Sequence, residues 1–503
     1  MADKSEQNRQ PGEPQLTLEE IIRTRREKIA DLRSDGINPY PYRYSQSHDI
    51  KQVRDDFDRL ANDQATVRLA GRMMLQRRMG RATFADIHDA TGRIQIYVKI
   101  NNVGKEQFTL FNRLDLGDIL GVEGILFVTR TGEKTLQVQK FELLAKSLYP
   151  LPDKHSGLTD KEMRYRRRYV DLIVNPEVRE TFVRRSRIIR SIREFLDDRG
   201  FLEVETPILQ PLYGGAMARP FKTHHNTLDV DLYLRIADEL YLKRLIVGGF
   251  EKVWEYCKDF RNEGMDRLHN PEFSQVELYW AYADYNDIMV LFQDMLKKAV
   301  FDLYGTYKIT YGEHEVDFEP EFRRLSMIDT VREATGIDLM PLDFKAAKAK
   351  AKEAGLEEDG LINWGKVVEA MFDRFIEPNL IQPTFIKDYP LEISPLAKIH
   401  RDNVRLTERF ELYIAGLEMG NAFSELNDPD DQRARFEAQA EAGRAGDKEA
   451  HQFDEDYIRA LSYGMPPAGG LGFGVDRLIM LLTNSHSIRD VIFFPQMRPE
   501  EGG

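Results

Sequence analysis

The chain has 503 residues, of which 42% are hydrophobic and 10% aromatic, and its net charge is −13. This length suggests roughly two to four domains, and the apolar content is enough for hydrophobic cores, which excludes global disorder. No run of about 18 apolar residues occurs, so we expect no membrane-spanning helix and no membrane partner. The polar segment 1–15 reads as a disordered tail and not as a signal peptide, and the single Cys257 cannot form an internal disulfide. We therefore expect a cytoplasmic protein.

Charge is distributed unevenly along the chain. The first 150 residues carry a formal charge of +3, whereas the remaining 353 carry −16. Thr17 and Glu20 have the spacing of a capping box, which predicts a helix that runs to about Ser34. The many basic residues of this helix indicate either a solvated surface or an arm that contacts phosphates. The charge asymmetry favours a nucleic-acid contact confined to the front of the chain.

Short strands with alternating apolar residues dominate residues 67–144. We predict five strands, with a helix over Glu106–Leu114 between the third and the fourth. This arrangement is typical of an OB-fold barrel, which often binds oligonucleotides through aromatic and polar side chains on its strands. A five-stranded module with a purely structural role is the alternative. Together with the preceding helix, this domain is expected to occupy residues 16–149.

A second, larger domain is predicted after a proline-containing linker. Pro150–Asp153 begins this linker, to which we assign residues 150–180. The segment Thr181–Arg199 then has apolar residues at three- and four-residue spacing, as in an amphipathic helix. From residue 181 to residue 503 strands interleave with helices, including a helical insertion around 327–378, which indicates an α+β fold.

Familiar nucleotide-binding signatures do not account for this domain. The chain contains no P-loop sequence and neither signature sequence of the class I synthetases. Gly470–Gly474 has half of a dinucleotide-binding fingerprint. It lies only about 30 residues from the end, which leaves no room for the βαβ unit that the fingerprint requires.

Three separated segments carry a family resemblance. They are the helix Thr181–Arg199 with Glu205–Pro207 after it, then Phe260–Tyr279, and last Gly470–Leu478. In order and spacing they resemble motifs 1, 2 and 3 of the class II aminoacyl-tRNA synthetases. With the OB-like domain in front, the arrangement resembles subclass IIb, the lysyl-, aspartyl- and asparaginyl-tRNA synthetases, over residues 15–498. The resemblance implies a catalytic domain with an antiparallel sheet flanked by helices.

The resemblance also implies an ATP site. Activation of an amino acid is an in-line attack of its carboxylate on the α-phosphorus, which needs cations on the phosphates and accurate positioning. Arg261 is matched to the α-phosphate, Arg477 to the γ-phosphate and Phe273 to the adenine ring. The full set matched to ATP is Arg261, Glu263, His269, Asn270, Phe273 and Arg477.

The metal that the resemblance implies is Mg²⁺, matched to Glu411 and Glu418. Carboxylate oxygens together with substrate phosphates are the ligands that Mg²⁺ prefers. On one continuous strand, residues seven apart would face opposite sides. We therefore expect a bend or turn between the two, which Gly416 is suited to form.

The residues matched to the amino acid favour lysine. They are Gly215, Glu239, Glu277, Tyr279, Asn421, Phe423 and Glu425. An aspartyl enzyme needs a cationic pocket, whereas these positions supply acids, with two aromatic rings to cover an aliphatic stem. Asp238 departs from the family pattern, in which an uncharged residue commonly precedes the glutamate.

The resemblance thus implies a ligase that makes lysyl-adenylate from lysine and ATP and transfers the lysine to tRNA. In these enzymes the OB domain reads the anticodon, and the matched positions are Arg77, Phe84, Gln95 and Glu133. Motif 1 builds a two-fold interface in this class, which implies a homodimer with Pro207 at the interface. The alternatives are an aspartyl- or asparaginyl-type ligase and a catalytically inactive, synthetase-like regulator that binds tRNA.

Overall fold

The computed structural model describes residues 16–152, 158–216, 218–444 and 453–500. The chain divides into two compact units, Met1–Thr159 and Asp160–Gly503. The predicted tail over residues 1–15 lies outside the described residues. Among the helices of the described ranges, none is both long and apolar enough to cross a membrane.

The first unit begins with three helices. They are α1 (Leu18–Ser34), α2 (Ile50–Asp55) and α3 (Phe57–Asn62). The predicted capping box is confirmed, because Thr17 and Glu20 bond each other's backbone amides reciprocally. The basic face of α1 is partly structural, since the buried Arg25 donates to the carbonyl oxygens of Ser147 (3.0 Å) and Tyr149 (3.1 Å).

Five strands of the first unit close into a barrel. They are β1 (Val67–Met79), β2 (Ala82–His88), β3 (Arg93–Lys99), β4 (Ile119–Val128) and β5 (Lys134–Ala145), in the order β1-β2-β3-β5-β4. Between β3 and β4 lie α4 (Ile100–Val103) and α5 (Lys105–Arg113). Alternate residues such as Ile94, Ile96 and Val98 of β3 are buried and fill the barrel. The predicted five-stranded barrel with its helix between the third and fourth strands is confirmed.

The second unit begins earlier than the sequence suggests. Three helices, α6 (Lys161–Arg166), α7 (Arg168–Val174) and α8 (Pro176–Asp197), follow Asp160. Arg168 is buried, pairs with Asp171 at 2.8 Å and donates to the carbonyl oxygen of Phe493 at 3.1 Å. Residues 160–180, which the sequence assigns to the linker, are therefore packed helices, because their basic cluster meets carbonyl groups near the end of the chain. Helix α8 begins at Pro176 and not at Thr181, and proline is favoured in the first turn.

An eight-stranded sheet organises the second unit. Its members are β6 (Leu202–Glu203), β10 (Lys252–Phe260), β11 (Glu272–Ala281), β14 (Arg323–Ser326), β15 (Thr384–Lys387), β18 (Arg409–Ile414), β19 (Leu417–Ser424) and β20 (Ala468–Gly474). They lie in the order β14-β15-β18-β19-β20-β11-β10-β6. All neighbours are antiparallel except β14 with β15 and β6 with β10.

Smaller sheets lie beside this one. They are formed by β7 (Leu209–Gln210), β8 (Lys222–His225) and β9 (Val230–Leu234), by β12 (Lys308–Tyr311) and β13 (His314–Asp317), and by β16 (Ile399–His400) and β17 (Asn403–Thr407). The remaining helices are α9 (Glu239–Val247), α10 (Tyr285–Tyr304), α11 (Met327–Thr335), α12 (Phe344–Glu353), α13 (Trp364–Phe375), α14 (Pro429–Arg444), α15 (Glu455–Ser462), α16 (Val475–Leu482) and α17 (Ile488–Val491). The predicted α+β fold with an antiparallel sheet flanked by helices is confirmed.

The two faces of the large sheet have different surroundings: one packs into the main hydrophobic core and the other lines a cavity. Alternate side chains such as Leu278 and Phe473 enter the main hydrophobic core, which also contains residues of α8, α10 and α16. Because side chains alternate along a strand, the residues between them, such as Glu277 and Gly472, point to the opposite face. That face lines the cavity in which the candidate site lies.

Candidate active site

A cavity of about 470 Å³ lies in the second unit. Strands β11, β18, β19 and β20 contribute its lining together with the loop between β10 and β11. All fifteen residues that the sequence matches to ATP, metal or lysine lie on its wall: Gly215, Glu239, Arg261, Glu263, His269, Asn270, Phe273, Glu277, Tyr279, Glu411, Glu418, Asn421, Phe423, Glu425 and Arg477. The fold thus brings together residues that are up to 262 positions apart in the sequence.

The glycine run of β20 makes room for this cavity. A Cβ atom on Gly470 would lie 2.0 Å from Glu425 Oε1 and 2.5 Å from Tyr279 Cε1. Any side chain at this position would therefore displace two of the lining groups. The glycine run that the sequence shows near its end is needed for the close approach of backbone and side chains.

Arg261 and Arg477 are two of the cationic side chains that line the cavity. Arg261 directly follows β10, and its guanidinium carbon lies 5.0 Å from the ring centre of Phe273. Arg477 donates to the carbonyl oxygen of Glu418 at 2.9 Å and to its carboxylate at 3.0 Å. Its guanidinium also lies 3.1 Å from His269 Nε2. One guanidinium group beside a half-buried aromatic ring, with a second guanidinium group in the same cavity, suits the base and phosphates of a nucleotide.

A buried ion pair anchors the helix that carries Arg477. Asp476 is 1% exposed and pairs with Arg185 of α8 at 2.6 Å. Its second carboxylate oxygen accepts from the backbone amide of Ser274 at 2.7 Å. One carboxylate therefore ties α16 to α8 and to β11, the elements that carry the three sequence motifs.

The two proposed metal ligands lie on neighbouring strands. Strands β18 and β19 form a hairpin whose turn contains Ala415 and Gly416, with φ values of 53° and 71°. The expected turn between Glu411 and Glu418 is confirmed. Burial raises the pKa of Glu411; nearby Arg409 opposes this effect and the charge of Glu418 adds to it.

Behind the other part of the cavity lies a residue that the sequence analysis missed. Lys243 of α9 is fully buried, and its ammonium group forms ion pairs with both Glu239 and Glu425. The ammonium nitrogen also lies 5.7 Å from the ring centre of Tyr279 and 5.3 Å from that of Phe423. A signal was available, because Glu239 and Lys243 are four residues apart on one helix.

Burial and mutual attraction together shift the pKa values of Lys243 and Glu425. Burial raises the pKa of Glu425 to about 8, while the Lys243 ammonium opposes that shift. Burial by itself would lower the pKa of Lys243, but Glu239 and Glu425 more than compensate and raise it. Lys243 therefore stays an ammonium.

Further buried acids lie close to Lys243 and its two partners. Asp238 is fully buried, and burial together with the charge of Asp259 raises its pKa to about 8, whereas a side-chain hydrogen bond with Glu277 opposes the rise. Burial and the charge of Asp238 also raise the pKa of Glu277. Ligand atoms of Asp238, Cys257 and Asp259 lie within 4.8 Å of one another. The family departure at Asp238 thus belongs to a cluster of buried acids whose pKa values are raised above the ordinary range.

The four residues matched to the anticodon lie on the barrel of the first unit. Phe84 is opposite Arg77 in the register of β1 with β2, and Gln95 accepts from the Thr135 hydroxyl at 3.1 Å. Glu133 lies 3.7 Å from the Arg93 guanidinium.

Two aromatic residues that the sequence analysis did not name extend this face. The ring centre of Tyr97 lies 4.7 Å from that of Phe84 and 5.8 Å from that of Phe127. A signal was available in the sequence, because Tyr97 and Phe127 occupy outward-facing positions of strands in which buried and outward-facing residues alternate. The barrel therefore presents a row of three rings.

Comparison with known proteins agrees with this architecture. The family described as "tRNA synthetases class II (D, K and N)" matches residues 160–498, and the "OB-fold nucleic acid binding domain" matches residues 67–144. The first match covers more than half of the chain. The chain therefore belongs to the class II tRNA synthetases of the D, K and N group.

Several relatives that match nearly the whole chain are named lysine–tRNA ligases. The lysine–tRNA ligase of Pelotomaculum thermopropionicum is 56% identical over 96% of this chain and 96% of its own length. Those of Carboxydothermus hydrogenoformans and Halalkalibacterium halodurans are 55% and 53% identical, over 96% and 97% of this chain and 99% and 98% of their own lengths. The resemblance to subclass IIb is confirmed.

Proposed function

We propose that this chain is an ATP-dependent ligase that joins L-lysine to its tRNA through lysyl-adenylate, releasing diphosphate and then AMP. The observation that carries the proposal is the single cavity in which arginines from two motifs adjoin a group of carboxylates and aromatic rings. The identity with lysine–tRNA ligases over nearly the whole chain supports the same conclusion.

The arginine part of the cavity is proposed to hold ATP. Arg261 is assigned to the α-phosphate, where negative charge develops during attack, and Arg477 to the γ-phosphate. The Phe273 ring is assigned to stacking on adenine, with Glu263, His269 and Asn270 beside it. Since the reaction is a displacement at phosphorus, positioning and charge neutralisation account for catalysis without a general base.

Mg²⁺ is the proposed cofactor. Glu411 and Glu418 supply carboxylate oxygens from neighbouring strands of the same cavity, and the charge of Glu418 is close enough to raise the pKa of Glu411. This oxygen-only donor set fits Mg²⁺, which when bound neutralises charge on the phosphates. In the protein itself the two acids are paired with Arg409 (2.6 Å) and Arg477 (3.0 Å).

The acidic part of the cavity is proposed to hold lysine. Each ammonium group of lysine loses hydration on binding and needs carboxylate partners. Glu239 is assigned to the α-ammonium, and Glu277 and Glu425 to the side-chain ammonium. The aliphatic stem is assigned to Tyr279 and Phe423, with Gly215 and Asn421 completing the wall.

The acids also argue against the alternative substrates. A site for aspartate needs a cation that is free to meet the side-chain carboxylate. Lys243 does not provide one, because it is buried against two carboxylates of the chain itself, and the cavity-lining Arg409 is paired with Glu411 at 2.6 Å. An inactive regulator is disfavoured because Arg261, Arg477, Glu411 and Glu418 all remain in the cavity.

The proposal is tested by ATP–diphosphate exchange without tRNA, with lysine, aspartate and asparagine supplied separately. Only lysine should support exchange, and lysine should then be transferred to tRNA. Exchange with aspartate or asparagine, or with none of the three, would contradict the proposal.

The barrel is proposed to bind the anticodon of the tRNA. We expect Phe84→Ala to weaken tRNA binding by about 1–3 kcal/mol, because one base loses its stacking partner. Binding should also weaken as salt rises, because phosphate contacts release counterions. The measurement is tRNA affinity by filter binding, with ATP–diphosphate exchange recorded in parallel.

Exchange without tRNA should not change in this variant. A matched control is Tyr42→Ala, since Tyr42 is a fully exposed aromatic residue of the same unit outside the barrel strands. A parallel loss of exchange in Phe84→Ala would reject the anticodon role of Phe84.

A homodimer is proposed from motif 1. Pro207 is exposed, and so are the apolar side chains near it, Ile208, Leu209 and Leu212. Exposed apolar patches commonly mark contact surfaces between chains. Analytical ultracentrifugation at micromolar concentration should give the mass of two chains, and a fully active monomer would reject this prediction.

A cytoplasmic location also stays a prediction.

A further inference from the structure

We propose that Lys243 is a positioning residue whose ammonium group fixes the separation of Glu239 and Glu425, and so sets the distance at which the site recognises the two ammonium groups of lysine. This inference rests on the proposed function. It concerns how the enzyme distinguishes lysine from a diamino acid of a different length.

The bridging position of Lys243 is the first step. Its ammonium group contacts one carboxylate on its own helix and one on a distant strand end, Glu239 at the start of α9 and Glu425 just after β19. The two acids are 186 positions apart in the sequence. Lys243 therefore links two segments that only the tertiary structure brings together. We call Lys243 with its two ion pairs the strut.

Lys243 itself is not placed to contact a substrate. Its side chain is fully buried and does not line the cavity, whereas Glu239 and Glu425 do. Glu425 Oε1 meets no donor within the described residues and lies on the side of Gly470, which also lines the cavity. The bridge thus occupies one side of Glu425 and leaves an oxygen for an incoming ammonium.

The strut is held in place because other buried side chains surround it. The Tyr279 and Phe423 rings flank the ammonium, and Tyr457, also buried, lies close enough to interact electrostatically with it. Removing the cation would leave two buried carboxylates facing each other, with Glu277 as a third nearby acid. They would then repel or take up protons, and their separation would change.

The consequence is a specificity effect. One methylene group in a pocket commonly supports about 10- to 200-fold discrimination. If Lys243 sets the spacing of the two acids, changing it should lower the preference for lysine over ornithine, which has one methylene fewer. A residue that only stabilised the fold would lower both activities together.

The test measures kcat and KM for lysine and for ornithine in ATP–diphosphate exchange. Variants are Lys243→Met, which removes the charge, and Lys243→Arg, which keeps the charge but alters the length and shape of the strut. The matched control is Lys298→Met, because Lys298 is a helical lysine that pairs with a single surface carboxylate, Asp302.

We expect Lys243→Met to raise the KM for lysine about tenfold or more, with the KM for ATP unchanged. The ratio of kcat/KM for lysine to that for ornithine should fall about tenfold in Lys243→Met and also fall in Lys243→Arg. The control should keep the wild-type ratio.

A ratio unchanged in both variants would overturn the inference. If thermal unfolding shows that Lys243→Met does not fold, the ratio in Lys243→Arg decides the matter. Failure of the wild-type protein to activate lysine would instead reject the proposed function itself, so the two failures are distinguishable.

Discussion

Replacing Asp476 with alanine should lower the free energy of unfolding of the second unit by about 3–5 kcal/mol. The variant removes one partner of a buried ion pair and leaves the Arg185 guanidinium without its carboxylate at 2.6 Å. It also removes the acceptor of the Ser274 amide. Urea denaturation followed by tryptophan fluorescence is the measurement, because Trp254, Trp280 and Trp364 all lie in the second unit.

Asp456→Ala is a matched control for this experiment. Asp456 is the second residue of the eight-residue helix α15, just as Asp476 is the second residue of the eight-residue helix α16. Its side chain is 69% exposed, so its ion pairs are screened by water and the expected loss is no more than about 1 kcal/mol. Equal losses in the two variants would show that the buried pair does not stabilise the fold as argued.

Glu425→Gln should lower kcat/KM for lysine by roughly 10- to 150-fold, which corresponds to about 1.5–3 kcal/mol. Glutamine keeps the size and one acceptor but removes the charge that would meet the side-chain ammonium of lysine. It also removes one of the two anionic partners of Lys243. The measurement is ATP–diphosphate exchange over a range of lysine concentrations.

The KM for ATP should stay unchanged in this variant, because Arg261 and Arg477 are untouched. Glu357→Gln is the control, since Glu357 is an exposed acid that does not line the cavity. An unchanged kcat/KM for lysine in Glu425→Gln would reject the assignment of Glu425 to the amino acid.

Much of the architecture could be predicted from local patterns. The capping box at Thr17, the alternation of β3 and the glycine run of β20 are signals between near neighbours in the sequence. Their physical basis, which is amide capping and the two-residue period of a strand, does not depend on distant parts of the chain. The turn between Glu411 and Glu418 followed from the same strand geometry.

A prediction from the sequence was wrong where the surroundings of a residue depend on a partner that is distant in the sequence. The sequence assigns the basic cluster around Arg168 to the linker. In the fold, however, Arg168 donates to carbonyl oxygens of residues 489–493, which the sequence does not place beside it. The relation of Asp238 to Asp259 and Glu277 was likewise visible only in the fold. Neither relation has a fixed sequence spacing.

The class of fold could be predicted from the sequence because strand alternation is a local property, whereas the cavity residues were named through the resemblance of three motifs to the class II synthetases. The pKa values of these residues and the ion pairs that hold them in place depend on the tertiary structure. Lys243 shows the difference most clearly, since its partner Glu239 is one helical turn away but its partner Glu425 arrives only when β19 joins the sheet. Burial raises the pKa of Glu425, and the two acids raise the pKa of Lys243; both effects exist only in the folded chain.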